Sequence, residues 1–311
     1  MLGQMYPLAS RAKICRLFGK TRQAWYDHRH RQTNTQMQEV LILKEVQKIR
    51  QEHKRMGTEK LLYKLEDFLK EHKIKYGRDK LYALLGSHEL LVRPRRTRPK
   101  TTNSNHLYRK FPNLIRDLKL NRSNHLWVSD ITYLRTKMGF VYLSLITDAY
   151  SRKIVGWSLW PSLASEGALN ALKMALGKEK HYRELIHHSD RGVQYCCYDY
   201  VNYLKGSNIT ISMTENGDPY ENAIAERVNG ILKDEYDLCN VFEDYLEANE
   251  AVKRAIASYN TSRPHSSCDF KTPCQAHTFK GEMNRRWTGK RRKNQELEIN
   301  VKAKSEDVEL G

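Results

Sequence analysis

Three acidic residues are placed where chemistry is possible. Asp130 lies in the segment WVSDITYL, among β-branched and aromatic residues that favour a strand, where aspartate is disfavoured. Strand alternation puts it on one face with Val128, Thr132 and Leu134. A carboxylate among apolar residues needs a partner, either a basic side chain or a metal ion, because an unpaired buried charge is very costly. Asp190 follows the apolar run in LIHHSDRGVQY, with Arg191 and Gly192 forming a turn. It reads either as a turn-forming aspartate or as a carboxylate past a strand's C-terminal end, where open α/β sheets bind ligands. Glu226 lies in YENAIAERVNGILKDEY. On a helix, Asn222, Glu226, Asn229 and Lys233 fall within about 60° of one another, while Ile224, Val228, Ile231 and Leu232 cluster on the far side.

Carboxylates brought together from a strand, a strand end and a helix offer hard oxygen ligands, which suit Mg²⁺ or Mn²⁺. Two such ions, about 3.5–4 Å apart, clamp the attacking and leaving oxygens of an in-line phosphoryl displacement. That chemistry activates water or a DNA 3′-hydroxyl and needs no protein nucleophile. Asp148 is a fourth acidic candidate, but it opens a turn and reads as structural. His187 and His188 are candidate bases, although strand-end histidines more often belong to a core. His265, in YNTSRPHSS, follows a helix and fits a DNA contact or a cap equally well.

The elements that must position these residues change character along the chain. From Asn124, the segments Trp127 to Leu134, Phe140 to Thr147 and Lys153 to Trp160 read as strands joined by short turns, an antiparallel meander. A helix over Ser165 to Leu176 follows, then a strand over Leu185 to Ser189, a helix over Tyr198 to Lys205 and a strand over Ile209 to Met213. Helices over Glu221 to Tyr236 and Glu243 to Asn260 complete the series. This is the element order of an α/β, ribonuclease-H-like core. An all-α helix-turn-helix region precedes it. There, Leu8 to Phe18 and Arg22 to His30 flank Gly19 and a capping Thr21. Helices over Leu41 to Gln51, Glu59 to Glu71 and Asp79 to Leu85 form a second such unit. The expected organisation is a helix-turn-helix segment over 1–33, a second helical DNA-binding domain over 36–92, a basic linker over 93–123, the catalytic core over 124–280 and a charged, disordered tail over 281–311. The linker contains RPRRTRPK, whose Arg93, Arg95 and Arg96 are candidates to lie along DNA phosphates.

Charge points to the same class of partner. The 311 residues carry 54 Lys+Arg against 36 Asp+Glu, a formal net charge of +18, which favours a polyanion through counterion release. No apolar run approaches the ~18 residues of a membrane span, and the N-terminus lacks the apolar core of a signal peptide. The six cysteines form no C-x-x-C pair and read as reduced structural thiols. A cytoplasmic, nucleoid-associated protein is expected.

Four motifs in order, WVSDITY, HSDRGVQY, ENAIAERVNGILK and YNTSRPH, resemble the catalytic core of insertion-sequence transposases of the IS-three family, which share the integrase core of retroviruses. The 35 residues between Asp190 and Glu226 match that family's D-D-35-E spacing. The resemblance covers roughly Asn124 to Phe279. It implies that Asp130, Asp190 and Glu226 are the catalytic, metal-binding triad for Mg²⁺ or Mn²⁺ as a pair of ions. It further implies that Lys233 contacts the DNA end; Asn222, Asn229, Arg191 and His265 are further DNA-binding candidates. The activity implied is cleavage of single strands at the ends of a mobile element, followed by strand transfer. The implied partners are the terminal inverted repeats and target DNA, a second copy of the chain, and an upstream-frame product, separate or fused. The H-H-C-C zinc motif of retroviral integrases is absent from the sequence.

Overall fold

The computed structural model describes residues 10–92, 107–116, 118–177, 182, 184–215 and 222–283. These fall into two compact units, one of residues 10–52 and 56–92, the other of residues 53–55 and 107–283. Arg93, Arg95, Arg96 and nearly all of the charged tail lie outside the described residues.

The first unit is all helical. Helix α1 (Arg11–Leu17) is capped by the Ser10 hydroxyl. Gly19 turns the chain at φ 62°, and the Thr21 hydroxyl accepts from the Ala24 N–H at 3.0 Å. Both features follow the sequence reading. Helix α2 does not. It runs unbroken from Arg22–Glu52, through the boundary expected between 33 and 36. No glycine or proline interrupts it, and the Thr33 and Thr35 hydroxyls bond back to the Arg29 and Arg31 carbonyls instead of capping a new start. Helices α3 (Thr58–Glu71) and α4 (Arg78–Ser87) follow. They close a core of Ile42, Val46, Leu61, Leu65, Leu81 and Leu85.

The second unit is a mixed sheet between helical layers. Strands β1 (Leu126–Thr136), β2 (Gly139–Asp148) and β3 (Ile154–Trp160) form the antiparallel meander. After α5 (Ser165–Leu176) come β4 (Ile186–Ser189), the short α6 (Val193–Cys196), α7 (Tyr198–Gly206), β5 (Thr210–Met213) and α8 (Ala223–Glu235). Then follow β6 (Val241–Phe242), α9 (Tyr245–Thr261) and α10 (Pro273–Thr278). The strand order is β3-β2-β1-β4-β5, with β6 also on β1. One face packs Trp127 and Ile146 against Ala171, Leu172, Tyr200 and Leu204. The other packs Leu134, Leu143 and Leu145 against Val228, Ile231, Val252 and Tyr259. The result is the expected α/β ribonuclease-H-like core preceded by a helical region. Helix α5 lies very close to the sheet, because Gly156 presents no side chain. A Cβ there would meet the Ala171 carbonyl at 2.2 Å and the Ala175 Cβ at 2.7 Å.

One detail of pairing places the site. Strand β1 pairs with β2 along nearly its whole length. On its other side it pairs with β4 only over Leu126–Val128 and with β6 only over Arg135–Thr136. Among the described residues, no strand fills the interval, and Asp130 lies at its start. No helix among them is long and apolar enough to cross a membrane, and all six cysteines are free thiols.

Candidate active site

The open side of β1 exposes backbone groups that need partners. Side chains supply them. The Asn222 amide, at the start of α8, donates to the Ser129 carbonyl at 3.0 Å. The Ile131 N–H donates to Asp130 Oδ1 at 2.9 Å. Asn229, two turns along α8, donates to Asp130 Oδ2 at 2.7 Å. Each carboxylate oxygen therefore accepts one bond and keeps a further lone pair.

Asp130 remains partly accessible as a residue, but its carboxyl is enclosed by protein. Burial raises that carboxyl to about 7; the negative charge of Asp190 adds to the shift, Glu226 contributes less, and the bonds from Asn229 and Ile131 oppose it. Asp190 sits just past β4, and its Oδ1 accepts the Gly192 N–H at 3.0 Å. A Cβ at position 192 would stand 3.0 Å from that same oxygen, so glycine lets the turn fold over the carboxylate. Glu226 lies in the first turn of α8, where the helix dipole favours an anion. It is exposed, and partial desolvation raises its carboxyl above the ordinary value.

Asp130, Asp190 and Glu226 thus share one electrostatic neighbourhood. Their donor set is oxygen only and anionic, which fits a hard divalent cation. The enclosed Asp130 carboxyl, held against like charges, is relieved by a cation. As they stand, no three His, Cys, Asp or Glu side chains among the described residues are gathered closely enough to hold a metal ion.

Other expected site residues fall differently. Asn222 and Asn229 are only 7% and 4% exposed. Asn229 belongs to the buried stripe of α8 together with Ala225 and Leu232, and Asn222 is the residue that precedes the helix; both brace β1. The 60° arc was right, but the boundary between buried and solvated faces runs between them and Glu226. His265 is also buried. Its Nδ1 pairs with the Ser267 hydroxyl at 2.9 Å and its carbonyl accepts from Cys268 and Phe270, so it organises the turn after α9. Arg191 and Lys233 are half-buried. The Lys233 ammonium stands 4.4 Å from the Tyr133 ring centroid.

Asp148 is structural: fully buried, it accepts from Asn124 and twice from Ser151. His187 is a core residue, lowered to about 3 by burial and by His188, and joined to the hydroxyls of Ser129 at 2.7 Å and Tyr200 at 2.9 Å. Sequence reading missed this network, whose members are scattered over three elements. It also missed the buried Arg263–Glu235 pair, whose Nε–Oε2 and Nη2–Oε1 bonds are both 2.7 Å.

The integrase core domain model matches residues 121–219, and a second model of the same description matches residues 207–273. The insertion element IS600 31 kDa protein of Shigella sonnei is 34% identical over 255 residues, covering 81% of this chain and 93% of that protein. The chain belongs to the IS3-family transposases. Transposase InsF for IS3A of Escherichia coli (strain K12) is 37% identical over 167 residues, 52% of this chain, and the chain spans only 57% of that relative's length. Among solved structures, the HTLV-2 integrase catalytic core domain in complex with magnesium aligns with a TM-score of 0.40 at 21% identity, covering 50% of this transposase and 97% of that chain. As a member of an integrase-core family of polynucleotidyl transferases, the transposase acts on DNA in transposition and integration.

Proposed function

We propose that this chain cuts single DNA strands at the ends of an insertion element and joins the freed ends to target DNA, with Asp130, Asp190 and Glu226 as its catalytic carboxylates. The observation that carries this is the Asp130 carboxyl, enclosed on an open seam of the sheet and raised to about 7 by burial and by the charges of Asp190 and Glu226. Such a group is expensive when ionised and alone, and comfortable beside a divalent cation. Asp130, on β1, and Asp190, just past the adjacent β4, would hold Mg²⁺ or Mn²⁺, and Glu226 would close the site from the helix. A bound pair of such ions would supply activation of water or a 3′-hydroxyl and stabilisation of the leaving oxygen. Asn229 holds Asp130 Oδ2 in place for that role, and Gly192 holds Asp190 Oδ1. Lys233 and Arg191, both half-buried, are read as contacts to the DNA backbone. Pairing two element ends calls for at least two copies of the chain, with an upstream-frame product as a further partner.

The test is a strand-transfer assay with Mg²⁺ and two pre-cut DNA ends. Joined product is expected from the wild type and none from Asp190→Asn or Glu226→Gln. Cleavage with no joined product would make the chain a nuclease on the same fold. Full activity in both variants would remove the triad.

A further inference from the structure

Helix α8 and strand β1 run side by side in the same direction. Three contacts join them in the same chain order: Asn222 to Ser129, Asn229 to Asp130, then Lys233 to Tyr133. Asp130 and Tyr133 are separated by three strand residues, about 10 Å. By strand alternation Tyr133 and Arg135 lie on the face of β1 opposite Asp130, with Phe140 paired to Arg135 on the neighbouring strand. The Tyr133 ring meets Phe140 edge to face, with centroids 5.3 Å apart and planes at 80°. The Arg135 guanidinium lies 5.8 Å from the Phe140 ring centroid, while Lys233 sits over Tyr133. Phe140 is 50% exposed, and Met138 beside it is 88% exposed. Neither ring is needed by the two main cores of the unit, which are built from other residues.

Two partly exposed rings, each with a cation over it and about 10 Å along β1 from Asp130, have a definite chemical match. Unpaired nucleotides find both requirements: a ring to stack on, and a positive charge for the phosphate. We propose that Tyr133 and Phe140 form a stacking platform for unpaired bases at a DNA end, with Lys233 and Arg135 neutralising the phosphates beside them. The platform keeps a frayed end from re-pairing while the adjoining strand lies at the carboxylates. It deepens the transposase reading and rests on it for the identity of the DNA, but not for the binding chemistry.

The full chain is tested without divalent metal, so that nothing is cut. One probe is a short duplex with an unpaired end carrying 2-aminopurine; the other is the same duplex fully paired. Binding of the unpaired probe should quench its fluorescence. Tyr133→Leu and Phe140→Ala should weaken binding of that probe by about 5- to 100-fold, the range set by base–aromatic stacking, and leave the paired probe unchanged. Tyr133→Phe, which keeps the ring, should match the wild type. Equal binding of both probes by Tyr133→Leu and by the wild type would overturn the platform. So would equal loss on both probes, or a Tyr133→Phe variant as weak as Tyr133→Leu. If the stacking signature holds while the strand-transfer assay fails, the platform stands and the catalytic reading falls. The reverse pattern removes the platform alone.

Discussion

Burial and two neighbouring negative charges hold the Asp130 carboxyl at about 7, against roughly 4 in an unfolded chain. Between these values the folded protein binds the proton more tightly than the unfolded one. Stability without metal therefore falls as pH rises from about 4 to about 7. Asp130→Asn removes that titration. The metal-free variant should be more stable than the wild type at pH 8, by on the order of 1–3 kcal/mol, and nearly equal to it at pH 4. Melting curves at the two pH values check this, and a variant less stable at pH 8 would contradict it. Asn229 can accommodate the change, because its Oδ1 has no partner and a turn of the amide offers that oxygen to the new donor. Asn229→Ala, which leaves Asp130 Oδ2 unheld, should lower the rate of strand transfer by about 10- to 100-fold, as loss of an outer support to a metal ligand does. DNA affinity should hardly move, since Asn229 is buried.

Among the elements, α8 is fixed at both ends. Near its start, Asn222 ties it to β1; at its end, Glu235 makes a fully buried bidentate pair with Arg263, just beyond α9. Arg263→Met would leave Glu235 as an uncompensated buried charge, costing about 3–5 kcal/mol, while a double Met replacement should recover most of that loss. Urea denaturation of the single and double variants measures it. The same helix shows what a sequence can and cannot disclose. Its amphipathic period placed the helix and put Glu226 on a polar arc, because side-chain spacing is a local property. The direction in which Asn222 and Asn229 face is set by the unpaired carbonyl and the carboxylate of a strand far away in the chain, and no local pattern encodes that. Strands β1 to β3 were legible from β-branched runs broken at Gly139 and at Asp148 to Arg152. Strand β6, with two residues, is too short to have a period. The uninterrupted α2 was read as two helices because no apolar residue marks a face between His30 and Gln36, while its threonines satisfy the helix.

For the whole molecule, a formal net charge of +18 sets how DNA binding responds to salt. If 6–10 phosphates are neutralised, affinity should drop by roughly 10³- to 10⁵-fold between 50 and 200 mM salt, with a linear log–log slope. Fluorescence anisotropy with a labelled duplex end reads that slope directly, and a flat response would mean that the excess charge does not touch DNA. Tyr133→Leu should leave the slope intact, because stacking releases no counterions. The charge was plain from composition, but its assignment to particular contacts was not. The sheet adds one further consequence. Strand β1 is laced to neighbours at both ends of its inner edge and unlaced between them, so the middle can part slightly without undoing either end. Deuterium should enter there first: the Ile131 amide, held only by the side chain of the preceding residue, is expected to exchange well ahead of the amides that β1 lends to β2, and to slow once a cation draws that carboxylate tight.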